Sequence, residues 1–161
     1  MSDTVYRCHT FVKWVPIVRL DFLVLADKAE AIGGKLYLMG GGFDRVRLTT
    51  IPGAAQFDVA VGILVGYNET NLQHAFELRC EDPDNNLVFD APRGAIEVGR
   101  PPGMTAGSEQ RALLVFAGPF PFPAAGDYSW VIVLNGERQP PTRFRVERAQ
   151  LIAPVPPPRP D

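Results

Sequence analysis

The sequence predicts an all-β fold, a single antiparallel β-sandwich carrying an N-terminal arm and a proline-rich C-terminal tail. Short runs of alternating aromatic and β-branched residues recur along the chain. Glycine and proline corners separate them at roughly the 8–12-residue spacing of a sandwich. Helical periodicity is confined to about one turn near Asn68–Leu72.

Residues 1–18 form the arm, an amphipathic stretch in which Phe11, Trp14, Val15 and Ile17 supply the apolar side chains and Pro16 ends any strand. The domain proper is assigned to residues 19–149. Within it, strands are expected at Leu20–Leu25, Lys35–Met39, Phe43–Thr49, Gln56–Val65, His74–Cys80, Leu87–Phe89, Gly94–Val98, Arg111–Phe116, Tyr128–Leu134 and Thr142–Glu147. The corners between them include Gly33-Gly34, Gly40-Gly41-Gly42, Pro52-Gly53, Asp82–Asn86 and Pro119–Pro123.

Two runs show which face turns inward. Phe57, Val59, Val61 and Ile63 share one side of their strand, with Asp58, Ala60 and Gly62 on the other. His74, Phe76, Leu78 and Cys80 likewise share a face, away from Glu77 and Arg79. The last hairpin is written most plainly: Tyr128–Leu134 is closed by Asn135-Gly136, and Thr142–Glu147 returns. Residues 150–161 are the tail, whose prolines favour an extended polyproline II conformation.

Composition narrows the function classes. With 16 Lys and Arg against 18 Asp and Glu, the net charge is -2, so no global field draws nucleic acid or anionic lipid. The longest apolar stretches fall short of the roughly 20 residues a membrane-spanning helix needs. Two cysteines, Cys8 and Cys80, are too few for a disulfide framework, and a cytoplasmic location is expected.

Asp21–Asp27 followed by Gly34–Phe43, the later Glu97–Gly103 and the strand start at Gly126–Trp130 resemble the recurrent features of an uncharacterised bacterial family, a domain of unknown function. The resemblance spans about residues 20–148. It implies an immunoglobulin-like β-sandwich and brings no functional residues with it.

Motifs for chemistry are sparse. Gly40-Gly41-Gly42 invites comparison with a phosphate loop, but such loops open a helix, whereas Phe43–Thr49 reads as a strand. Cys8, His9, His74 and Cys80 are zinc-ligand types; His74 and Cys80, six apart on a strand, stand about 20 Å from each other at ~3.3 Å per residue. Asp82, Asp84 and Asn86 imitate the start of a calcium loop, yet Leu87 and Arg93 occupy the places of its Gly and Glu, so a turn is expected, with a looser calcium site involving Glu81 or Asp90 as the alternative. Ser129 lies inside a strand without a nucleophile elbow. Neither a cofactor, a metal nor a catalytic residue is expected.

Three features remain as candidate binding elements. Arg138, Arg143, Arg145 and Arg148 give the last hairpin a basic edge, offset by Glu137 and Glu147. Pro154, Pro157 and Arg159 have the spacing that aromatic-lined grooves recognise. Phe120 and Phe122, in a proline-rich loop, would form a ligand platform if exposed and would plug the core if buried. The sequence thus points to a non-catalytic structural or assembly protein that associates with itself, or with another protein, through its arms and sheet edges. The alternative is a module that binds a small ligand or carbohydrate with its end loops.

Overall fold

The terminal hairpin forms where the Asn-Gly signal places it, and strands account for the rest of the architecture. A computed structural model of the protein describes residues 18–150. The strands in chain order are β1 (Val18–Ala26), β2 (Lys28–Ile32), β3 (Lys35–Met39), β4 (Arg45–Leu48), β5 (Gly53–Ala55), β6 (Asp58–Gly66), β7 (Gln73–Glu81), β8 (Arg93–Glu97), β9 (Glu109–Ala117), β10 (Phe120–Phe122), β11 (Gly126–Leu134), β12 (Glu137–Arg138) and β13 (Thr142–Arg148). A 3₁₀ turn at Tyr67–Glu69 stands where one helical turn was expected. No α-helix occurs among the described residues.

Two main sheets curl around one core. The first is β1-β6-β9, antiparallel throughout. The second runs β4-β13-β11-β7-β8, with β12 added to β11. The pairing is antiparallel except between β4 and β13, which run parallel with Val46 beside Val146. Val59, Val61, Ile63 and Val65 of β6 join Leu78 and Cys80 of β7, Trp130, Ile132 and Leu134 of β11 and Phe144 of β13 in a single buried cluster. At about 1.5–3 kcal/mol for each fully buried large side chain, this cluster supplies most of the driving force for folding. Trp130 lies at its centre, with Phe57, Phe89, Phe120 and Phe144 packed around it at centroid distances of 4.9 to 6.5 Å.

The expected polar side of β6 is also buried. Ala60 packs with Ala26 and Ala29, and the Phe22 ring sits so close over Gly62 that a Cβ there would strike it. Ala60 must be small because the β2–β3 hairpin folds back over this outer face, and Gly62 because the Phe22 ring of β1 lies against it. Buried Asp58 pins the hairpin: its carboxylate accepts the Ala29 backbone N–H at 2.8 Å and meets Lys28 Nζ at 3.3 Å.

Several elements depart from the sequence expectation. Leu87–Phe89 makes only an isolated bridge, Glu81 to Leu87, while Val88 and Phe89 pack against the core. Strands β2, β5, β10 and β12 carry no strand signal in the sequence. The triple glycine is the return from β3 to β4: Gly40 and Gly42 have φ of +61° and +89°, and the Gly42 N–H donates to the Leu25 carbonyl. A side chain at Gly40 would also strike the Asp27 carboxylate.

Candidate functional site

The β2–β3 hairpin presents a second face to solvent. Its register pairs Lys28 with Met39, Glu30 with Tyr37 and Ile32 with Lys35, and partners in an antiparallel ribbon project to the same side. This places Ile32, Tyr37 and Met39 outward, 57%, 54% and 70% exposed, while Ala29 is turned inward and buried. Strand β3 hydrogen-bonds to β2 and to no other described strand. Its sequence, Lys-Leu-Tyr-Leu-Met, has high strand propensity, one charge and no proline. Protein edges are commonly blunted by charge, proline or a covering element, and β3 has little of this protection.

The sequence-selected residues fare differently. Phe11, Trp14, Val15 and Ile17 lie outside the described residues, as do Pro154, Pro157 and Arg159. Phe120 and Phe122 are 6% and 1% exposed. Phe120 lies against Phe57 and Trp130 at 4.9 Å each, and Phe122 against Tyr128 at 5.2 Å. The ligand platform is therefore corrected: in β10, which pairs with β5, alternation around Pro121 turns both rings into the core.

His74 is buried, with Nε2 2.8 Å from the Glu69 carbonyl and Nδ1 3.1 Å from the Asn135 amide nitrogen. Cys80 is also buried, and desolvation, followed by the neighbouring Glu81 charge, pushes its thiol up to about 12. Cys8 and His9 lie outside the described residues, and no metal-binding group of His, Cys, Asp and Glu occurs among the described ones.

In the Asp82–Asn86 segment, the Asp82 carboxylate accepts the backbone N–H groups of Asp84 and Asn86 at 2.9 Å and the Asn86 side-chain amide at 3.1 Å. Asn85 adopts φ +62°. This is a turn closed by its own aspartate, and the Asn86 hydrogen bonds hold the Asp82 carboxyl below the usual range. Glu81 points to Arg138, 2.7 Å away.

Of the basic edge, Arg138, Arg143 and Arg145 gather about one cleft, and Arg148 does not line it. The unpaired edge of β3 escaped the sequence reading, although the apolar run at 36–39 was its available signal.

No curated protein matches the chain in sequence. Residues 21–147 match the model of a family of unknown function, DUF6941, and the chain belongs to that family.

Proposed function

We propose that the protein is a non-catalytic assembly module whose domain is immunoglobulin-like and whose copies associate through the open edge of β3, helped by the N-terminal arm. The observation carrying this reading is the unpaired β3 edge beside exposed Tyr37 and Met39. Strand addition at such an edge gains main-chain hydrogen bonds for affinity and alternate side chains for register.

The edge suits a second copy of the same strand. Two β3 strands paired antiparallel about a two-fold axis centred on Tyr37 set Lys35 opposite Met39 and Leu36 opposite Leu38. No like charges face each other in that register. Residues 11–17 lead directly into β1 and bring Phe11, Trp14, Val15 and Ile17 to the assembly; burying them contributes about 1.5–3 kcal/mol each before ordering costs.

Two features support the immunoglobulin-like assignment. The sheet order β13-β11-β7-β8 opposite β1-β6-β9 parallels the arrangement in which strands G, F, C and C′ face A, B and E. Tyr128, near the start of β11, donates its hydroxyl to the Ala124 carbonyl at 2.9 Å, the contact of a tyrosine corner. A non-catalytic role accords with His74 committing both ring nitrogens to structural hydrogen bonds and with Cys80 being held as a thiol. A free, buried Cys80 also suits the reducing cytoplasm.

Light scattering of the full chain, of a variant lacking residues 1–18 and of Tyr37→Lys tests the reading. The full chain is expected as a dimer or larger, Tyr37→Lys as predominantly monomer because two lysines then meet on the axis, and the truncated form as a weaker assembly. A monomeric full chain at hundred-micromolar concentration overturns the proposal.

A further inference from the structure

The outer face of the second sheet holds a cleft of about 550 Å³, within the range of small-molecule sites. Its floor includes Ser129 on β11 and Arg143 on β13, which are directly opposed across the strands. Arg138 contributes to the lining with its guanidinium clamped by Glu81, NH2 to Oε2 at 2.7 Å and NH1 to Oε1 at 3.2 Å. Glu81 is 3% exposed and projects from the outer face beside Ser129, its partner across the strands, so a covered carboxylate holds the Arg138 guanidinium against the sheet.

Arg145 and Arg45 also line the cleft and are committed to acids, Arg145 lying 3.6 Å from Asp127 and Arg45 3.0 Å from Glu147. Arg143 differs: it has no ion-pair partner among the described residues, and the Ser129 hydroxyl beside it makes no side-chain hydrogen bond among them. Among the described residues, a cation without an ion-pair partner and a hydroxyl without a side-chain hydrogen bond thus face one concavity, beside an Arg138 guanidinium that Glu81 holds in place.

We infer that this cleft binds the phosphate of a small organic phosphate ester, with Arg143 and Ser129 contacting the oxygens and Arg138 as an oriented clamp. Arg143 and Ser129, with the Arg138 N–H groups that Glu81 does not engage, place donors in several directions and suit a tetrahedral oxyanion; a planar carboxylate is satisfied by a single fork. The acidic part of the lining disfavours a polymer. Asp44, Asp82 and Asp127 also line the cleft, and an extended polyanion crossing it would run alongside those carboxylates.

The test is calorimetric titration of the full chain with phenyl phosphate at fixed ionic strength, with benzoate and a ten-nucleotide single-stranded DNA as comparison probes. Saturable binding of phenyl phosphate is expected, weakened about tenfold by Arg143→Ala, as loss of a hydrogen bond to a charged group implies. Ser129→Ala weakens it less, and Arg148→Ala, outside the cleft, leaves it within about twofold. Circular dichroism of each variant checks that the fold is intact. No saturable binding, equal affinity for benzoate, tighter binding of the oligonucleotide, or an Arg143→Ala variant that binds normally would each overturn the inference.

Discussion

The Asn135 side-chain amide reaches the His74 ring at 3.1 Å, linking the turn after β11 to the start of β7. Asn135 Oδ1 accepts the Ala75 N–H at 3.0 Å, which leaves its amide nitrogen to donate to Nδ1. The Glu69 carbonyl only accepts, so the neutral ring carries its proton on Nε2. Asn135 and Gly136 have φ of +51° and +82°, as a two-residue hairpin turn requires. One residue therefore meets a backbone demand and a side-chain demand together.

Asn135→Ala removes both side-chain hydrogen bonds and puts alanine, which tolerates positive φ less well than asparagine, in the left-handed region; the expected loss is about 1–3 kcal/mol. Asn135→Gly restores the backbone freedom without the hydrogen bonds and should lose less. Urea unfolding of the two variants checks the order, and equal losses would show that the turn conformation contributes nothing separable.

Asp58→Ala leaves the Ala29 N–H without its acceptor, while Lys28 remains half-exposed and hydrated. The expected loss is about 1–3 kcal/mol, accompanied by loosening of the hairpin. Limited proteolysis should then cut within residues 28–42 before the rest of the domain, whereas uniform cleavage would mean that Asp58 does not anchor the hairpin.

The Cys80 thiol gives stability a pH dependence. Its folded value is raised to about 12, and an unfolded thiol ionises near 8.5. Its stabilising contribution is therefore complete below about pH 8.5, declines above it, and is lost as pH rises through 12. In a Cys8→Ser background, the stability difference between Cys80 and Cys80→Ala should shrink from pH 8 to pH 10.5. Iodoacetamide should modify Cys80 only under unfolding conditions, and rapid alkylation of the folded protein would contradict its burial.

How much of this was legible in the sequence depends on whether one strand or a pair of strands carried the information. Strand β13 alternates regularly enough to place Phe144 and Val146 in the core from order alone, and the continuous apolar run Trp130–Leu134 marks β11 as a central strand. Strand β2, Lys-Ala-Glu-Ala-Ile, has no such signal, because Ala, Glu and Lys are poor strand formers; its pairing with β3 and the Asp58 anchor hold it extended. Prolines concealed β10 in the same way. The arginines of the last hairpin were visible as a basic edge, but the approach of Ser129 to Arg143 and of Glu81 to Arg138 follows from register across four strands, β7, β11, β12 and β13. No local pattern encodes that register.

Trp130 carries a contradiction within the core: its indole N–H is buried and has no acceptor among the described residues. Trp130→Phe removes that orphan donor together with some volume, and should cost well under the about 3–5 kcal/mol expected for Trp130→Ala. Thermal and urea unfolding compare the two variants. Equal losses would indicate that the N–H is satisfied in solution.

Association through the β3 edge is tested most directly by amide hydrogen exchange at Lys35–Met39, compared between micromolar and near-millimolar protein. The account predicts that the β3 amides not bonded to β2 exchange freely when dilute and become protected when concentrated, and that Tyr37→Lys abolishes this protection. Exchange at β3 that is indifferent to concentration, in a chain that nevertheless self-associates, would place the interface elsewhere and contradict the account.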